Sequence, residues 1–279
     1  MNYTTLVPPE LLAQHLNEWV IVDCRFSLEN PEKGRQDYLE SHIPRAVYAH
    51  VDDDLSGRVI PGITGRHPLP AYTDVASTFT AWGIGEDVQV VAYDDSGGSM
   101  AARLWWLLHF LGHESAAVLD GGWPEWVRRK YPTRSGEEEN TRRIFFPRPQ
   151  REMIVNATAV EDIRSNPSYS LLDARDPERF RGEIEPIDPV AGHIPGAVSA
   201  PYKQNLDERG FFRPPDELRS RYLKLAGRTP GERIVCYCGS GVTAAHDVLA
   251  IAHAGLGFAR LYPGSWSEWI TNPDRPIAT

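Results

Sequence analysis

The chain has 279 residues, 41% hydrophobic and 24% charged, with 23 glycines and 23 prolines. That composition describes an ordinary folded protein long enough for two cores, and it excludes disorder, collagen-like repeats and low-complexity architecture. A formal net charge of −9 argues against nonspecific nucleic-acid binding, and three cysteines are too few for a disulfide-stapled secreted scaffold or a four-cysteine zinc site.

In chain order, the first ten residues contain no basic segment followed by an apolar core, and no later stretch reaches 18 apolar residues, so neither secretion nor membrane insertion is expected and a reduced, cytoplasmic setting fits. Val20-Ile-Val-Asp23-Cys-Arg25 reads as a buried strand and Ser41-His42-Ile-Pro44-Arg-Ala46 as a turn. Residues 88–93 form a second β-branched run, ending in a glycine-containing turn that leads into a helix over 99–111. Leu119-Asp-Gly-Gly-Trp123-Pro-Glu-Trp126 closes this half, and a polar, Pro-interrupted stretch follows. Asn156 is placed to cap a helix over 157–163, which Pro167 stops.

The pattern then repeats. Ser170-Leu-Leu-Asp173-Ala-Arg175, Gly192-His193-Ile-Pro195-Gly-Ala197 and Tyr262-Pro-Gly-Ser-Trp266-Ser-Glu-Trp269 return at offsets of 150, 151 and 143 residues. Residues 233–237 and 242–254 repeat the strand and helix. The expectation is a tandem duplication: a domain over 1–135, a linker over 136–155 and a second domain over 156–279. Each is an α/β domain with a parallel sheet flanked by helices on both faces and ligands near the carboxyl ends of its strands. The acidity belongs to the first copy: residues 1–140 carry 11 Lys and Arg against 21 Asp and Glu, and residues 141–279 carry 18 against 17. The second half is the easier host for a small anion.

Duplication offers an internal control. The Asp-x-Arg pairs, His-Ile-Pro turns and Trp segments occur in both halves and read as fold maintenance, Arg175 and the paired tryptophans included. At the strand–loop–helix junctions the halves diverge: Tyr93-Asp94-Asp-Ser-Gly-Gly faces Tyr237-Cys238-Gly-Ser-Gly-Val. Gly239, Ser240 and Gly241 allow backbone N–H groups to point inward, and the helix that follows adds its positive end, so the loop makes an anion cradle that favours a reactive thiolate on Cys238. Cys236 and Cys24 read as packing residues. Zinc binding lacks further ligands at suitable spacing, and a Cys236–Cys238 disulfide is geometrically poor. Phosphate-ester hydrolysis lacks the arginine of a Cys-x5-Arg loop, since Ala244 stands there, and no nucleotide phosphate loop occurs.

Taken together, the tandem halves, the Asp173-Ala-Arg175 and Gly192-His-Ile-Pro segments, the Cys238-Gly-Ser-Gly-Val-Thr243 loop and the closing Trp266-Ser-Glu-Trp269 resemble the two-domain rhodanese sulfurtransferases over essentially the whole chain. The resemblance implies a catalytically silent first domain and a persulfide on Cys238. It also implies a small anionic sulfur donor and a thiol, cyanide or thioredoxin-like acceptor, with no metal or cofactor. Gly239, Ser240, Gly241, Val242 and Thr243 would stabilise the sulfur anion, and Arg179 matches the arginine that binds the donor's anionic end; the first half has no arginine at the matching place. His42, Tyr93 and Asp94 would line a cleft wall, although the repetition of His42 as His193 points to a structural role for it. The loop resembles the mercaptopyruvate-using branch, but residues 183–188 lack that branch's second arginine, so thiosulfate or a protein persulfide stays open as donor. The competing reading is a protein sulfur-relay module with little turnover of small donors.

Overall fold

The computed structural model describes residues 2–279 as two compact units. The first comprises the chain up to Gly57, Leu69–Gln150 and Glu208–Phe211; the second comprises Arg58–Pro68, Arg151–Asp207 and Phe212–Thr279. A segment from each half of the sequence is thus counted with the other half's unit.

In the first unit the elements run β1 (Leu6–Val7), α1 (Pro9–Gln14), β2 (Val20–Asp23), α2 (Glu32–Glu40), β3 (Ala46–Tyr48), α3 (Tyr72–Ala81), β4 (Val90–Tyr93), α4 (Ala101–Phe110), β5 (Ala116–Leu119) and α5 (Gly122–Arg128). The strands form one parallel sheet in the order β1-β5-β4-β2-β3. Residues of β2, β3, β4 and β5 are buried throughout, as expected of a parallel sheet covered on both faces, and this explains their continuous apolar runs.

The second unit repeats the plan with α6 (Ala157–Ile163), β6 (Ser170–Asp173), α7 (Pro177–Phe180), β7 (Ala197–Ser199), α8 (Pro215–Ala226), β8 (Ile234–Tyr237), α9 (Ala244–His253), β9 (Arg260–Leu261) and α10 (Ser265–Trp269). Its parallel sheet has the order β7-β6-β8-β9, and a single parallel bridge from Ile154 to Leu261 stands where β1 pairs with β5 in the first. The Asn156 side chain accepts from the Ala159 N–H at 2.9 Å, so α6 is capped as its sequence predicts. The helices after the two loops begin two residues later than the sequence suggests, at Ala101 and Ala244, because the turns consume the extra residues.

The repeated motifs do repeated structural work. Arg25 lies across the Asp23 carboxylate, with Nε 3.0 Å from each oxygen, Nη2 donates to the Ser41 carbonyl at 2.7 Å, and the guanidinium sits over Trp123. Arg175 does the same with Asp173, the Gly192 carbonyl at 2.7 Å and Trp266. Tyr93 and Tyr237 receive the Ile43 and Ile194 N–H groups at 3.2 and 3.1 Å. Each buried pair therefore ties the end of one strand to the following turn and to the Trp segment. Trp126 and Trp269, fully buried, donate to the Pro132 and Pro276 carbonyls. Cys24 and Cys236 are buried and free, and burial pushes both thiols well above the ordinary range, with nearby carboxylates adding to it.

Behind the second loop, α9 is anchored by a buried polar cluster. Asp247 Oδ1 accepts from Asn205 Nδ2 at 2.7 Å and from the Tyr222 hydroxyl at 2.9 Å, while Oδ2 has no partner among the described residues. Burial raises this carboxyl from 3.8 to about 6, against the opposing pull of Arg221. Between those values the folded state holds a proton that the unfolded chain has released, so the carboxyl's contribution to stability is full below pH 4 and is lost as pH rises through 6. Asp247→Asn removes this pH dependence: relative to the parent, its stability should improve from pH 4 to pH 7 by on the order of 2–3 kcal/mol in urea unfolding. A difference that stays constant over that range contradicts the assignment.

Candidate active site

Cys238 is the first residue after β8, at the carboxyl end of the sheet, and it is 2% exposed. Gly241 has φ +79, a conformation that L side chains rarely adopt, and this turns its N–H onto Cys238 Sγ at 3.2 Å. A β-carbon at Gly241 would collide with the Pro263 carbonyl oxygen, so the glycine is required by space as well as by angle. The Trp segment holds the loop from outside. The Cys238 N–H donates to Ser265 Oγ at 3.1 Å, the Cys238 carbonyl accepts from Trp266 N at 3.0 Å, and the Gly239 carbonyl accepts from Ser267 N at 2.9 Å. Ser265 itself has φ +55, and its hydroxyl also donates to the Tyr262 carbonyl at 2.9 Å. An unfavourable backbone conformation is thus kept where it orients the sulfur-bearing residue.

The first unit shows what such a loop does with a fixed anion. Asp94 occupies the place of Cys238, and its Oδ1 accepts from Ser96 N and Gly98 N at 2.9 and 2.8 Å. Its Oδ2 accepts from Met100 N and Ala101 N at 2.8 and 2.9 Å. The carboxyl group fills the cradle from within, with an acceptor for each of the four N–H groups. His42 and Tyr93 are likewise committed inside this unit. His42 is buried, donates from Nδ1 to the Tyr38 carbonyl at 2.7 Å and stacks on the Tyr38 ring. The Tyr93 hydroxyl donates to Asp23 at 2.7 Å.

Beside the loop of residues 239–243, from which the Gly241 N–H reaches the sulfur, stand Arg179 and two residues that sequence reasoning missed. Arg179, at the end of α7, pairs with Glu185, Nη2 to Oε1 at 2.6 Å and Nε to Oε2 at 3.1 Å, and reaches Asp188 Oδ2 at 3.3 Å. Burial works to raise the Glu185 carboxyl, but the Arg179 hydrogen bonds and nearby N–H groups outweigh it and leave it below the usual range. Asp188 is pushed up, because burial there outweighs Arg66 and Arg179. The two missed residues come from the Arg58–Pro68 segment. Arg66 pairs with Asp188 Oδ1, and His67 Nδ1 lies 2.7 Å from Ser240 Oγ. Their signal in the sequence was weak. The β3–α3 connection is long and rich in Gly and Pro, which marks a functional loop without saying which unit receives it.

A β-carbon on Gly239 would lie 2.8 Å from Arg66 Nη2 and 3.5 and 3.6 Å from Arg179 Nη2 and Nη1. A sulfur nucleophile, an inward N–H and two guanidiniums therefore surround one backbone position. Chemically this suits attack on an electrophilic sulfur whose carrier bears an anionic end.

The rhodanese-like domain model matches residues 8–129 and again 156–272. A Pseudomonas aeruginosa protein provisionally named 3-mercaptopyruvate sulfurtransferase is 46% identical over 282 residues, covering 100% of this chain and 99% of that one. A Mycobacterium tuberculosis protein, provisionally named thiosulfate sulfurtransferase SseB, is 40% identical over 92% of this chain and 89% of its own length. Among solved structures, 3-mercaptopyruvate sulfurtransferase from Leishmania major superposes with a TM-score of 0.85 at 33% identity, covering 98% of this chain and 75% of that one.

The two loops differ in what fills them, and that is measurable. Asp94→Ala leaves four N–H groups without an acceptor, those of Gly98 and Ala101 buried, and should destabilise the first unit by about 2 kcal/mol or more in urea unfolding, whereas Asp94→Asn, which keeps one acceptor oxygen, should lose clearly less. Equal losses for the two variants would contradict the cradle account.

Proposed function

The chain belongs to the rhodanese family and is a sulfurtransferase, and on that premise we propose that Cys238 carries sulfane sulfur from a small anionic donor to a nucleophilic acceptor. The observation that carries this reading is the Gly241 N–H aimed at Cys238 Sγ at 3.2 Å, in a loop whose counterpart closes on the carboxylate of Asp94. A loop of inward N–H groups thus closes on a carboxyl group in one copy and on a thiol in the other.

The chemistry runs in two displacements. With 3-mercaptopyruvate the Cys238 thiolate attacks the donor sulfur, an S–S bond forms, and the C–S bond breaks with its electron pair left on carbon as the enolate of pyruvate. The proton of the donor thiol ends on that carbon, giving pyruvate and a Cys238 persulfide anion. Ser240 Oγ and His67 Nδ1, 2.7 Å apart, are suited to move that proton. An acceptor thiol then takes the outer sulfur as its own persulfide and returns the Cys238 thiolate; cyanide departs as thiocyanate. N–H groups of residues 239–243 steady the sulfur anion in each state, and Arg179 holds the donor's anionic end. A thiol or thioredoxin-like acceptor and a reducing, cytoplasmic setting belong to the same proposal, in keeping with three free thiols.

We assign 3-mercaptopyruvate over thiosulfate as the preferred donor. Arg179 and Arg66 each already face a buried carboxylate, Glu185 or Asp188, so little uncompensated positive charge is left to meet a dianion, while a single carboxylate is suited to the guanidinium forks.

Donor-treated protein should be about 32 Da heavier at Cys238 as a persulfide, and Cys238→Ala should show no such adduct. An adduct that persists in the variant overturns the assignment of the nucleophile. In steady state, kcat/KM for 3-mercaptopyruvate should exceed that for thiosulfate by at least about tenfold; the reverse ratio overturns the choice of donor.

A further inference from the structure

We propose that two aliphatic loops beside the Cys238 site, residues 59–63 and 184–187, are the docking surface for the sulfur acceptor, and that this acceptor is a protein whose reactive cysteine stands in an apolar face edged by acidic residues. The inference rests on the reading of Cys238 as sulfur carrier and names the partner of its second half-reaction.

The surface is defined by what the chain leaves exposed. Fourteen large hydrophobic side chains are exposed among the described residues, and five of them, Val59, Ile60, Ile63, Ile184 and Ile187, fall within these nine positions. Each is 43–63% exposed, and such clustering, unlike single exposed aliphatics, marks an interaction face. The intervening residues add no accessible charge: residues 59–63 read Val-Ile-Pro-Gly-Ile, and Glu185, the one ionisable residue of 184–187, has its side chain buried against Arg179. Both loops belong to the second unit, and their bases meet. Arg66, three residues after Ile63, pairs with Asp188, the neighbour of Ile187, and a β-carbon on Gly239 would lie 2.8 Å from Arg66 Nη2. The aliphatic tips therefore stand beside the residue that follows the sulfur carrier. They are also held in shape. The Ile60 N–H donates to Thr64 Oγ1 at 2.9 Å, and the Ile60 carbonyl accepts from Ile63 N and Thr64 N at 3.0 Å. Glu185 Oε1 accepts from Ile187 N and Asp188 N at 3.2 and 3.1 Å. Fixed turns that present apolar side chains lower the ordering cost of binding.

Neither small reactant accounts for these loops. 3-Mercaptopyruvate and cyanide are small anions that gain nothing from five aliphatic side chains, whereas a protein face gains from burying them all. Charge then narrows the choice of face. Glu183 pairs with Arg181, Glu185 with Arg179 and Asp188 with Arg66, but Arg58, exposed at the start of the first loop, has no ion-pair partner among the described residues. The uncompensated charge at the edge of the surface is positive and complements an acidic rim on the partner. Once docked, the partner's thiolate bonds to the outer sulfur of the Cys238 persulfide, and the persulfide S–S bond breaks with its electron pair left on Cys238 Sγ. A second cysteine of the partner then displaces the transferred sulfur as hydrosulfide and closes a disulfide, so the partner supplies both electrons.

The test starts from the full-length protein loaded with sulfur on Cys238 and follows hydrosulfide release by reduced thioredoxin, a protein dithiol, and by dithiothreitol, a small one. In the parent, the second-order rate constant with thioredoxin should exceed that with dithiothreitol by about tenfold or more. The double variant Ile63→Ser, Ile187→Ser should lower the thioredoxin rate by about tenfold, while the dithiothreitol rate and persulfide formation from 3-mercaptopyruvate stay within about twofold. Arg58→Glu should slow thioredoxin by about threefold at low salt and remove the fall in its rate as salt rises. Equal rates for the two reductants in the parent, a double variant that slows neither or both alike, or slower persulfide formation in that variant each overturn the proposal. A parent that sediments as a dimer, with the double variant a monomer, gives the surface to a second copy of the chain and overturns it as well. Failure of the underlying reading looks different: the parent then forms no persulfide on Cys238 at all.

Discussion

Backbone N–H groups that converge at the end of a strand must be answered by an acceptor, and both units are organised around that requirement. Orientation of these groups costs conformational freedom, which is why glycines with positive φ occur at Gly97, Gly98 and Gly241. The answer differs between the copies. Asp94 satisfies four donors with its two carboxyl oxygens, whereas Cys238 offers a single sulfur, which accepts from the Gly241 N–H. Everything adjacent to the second loop serves to hold its shape without occupying the sulfur: Ser265 takes the Cys238 N–H, and Trp266 and Ser267 take the two carbonyls.

The paired Asp-x-Arg knots explain how two copies of one fold tolerate such different loops. Arg25 and Arg175 each bind a carboxylate at a strand end, a turn carbonyl and a tryptophan face, so the three pieces of chain that carry the loop are fixed before the loop sequence matters. Buried charge in these knots is fully partnered, the condition under which such pairs hold a structure together rather than weaken it.

Much of this was legible in the sequence. Strand runs, the Asn156 cap, the duplication and the contrast between Asp94 and Cys238 all depend on residues close together in the chain or on a repeat that can be aligned by eye. Arg179 was legible because the first copy lacks it. Arg66 and His67 were not, since their partners Asp188 and Ser240 lie 122 and 173 positions away and no periodicity links a loop to a site in the other repeat. Residues 183–188 show no arginine in the sequence, and that Asp188 among them holds the distant Arg66 required the fold. The wall roles expected for His42, Tyr93 and Asp94 rested on resemblance alone; within the first unit His42 Nδ1, the Tyr93 hydroxyl and both Asp94 carboxyl oxygens are hydrogen-bonded, while His42 Nε2 has no hydrogen-bond partner among the described residues.

The membership of Arg58–Pro68 in the second unit bears on how such a chain can evolve. Here a chain begun at residue 156 would keep Cys238 and Arg179 but would lack the guanidinium over Gly239 and the imidazole on Ser240. The first repeat of the sequence thus encodes two side chains that stand in the second unit, and a change written in one repeat reaches the loop of the other.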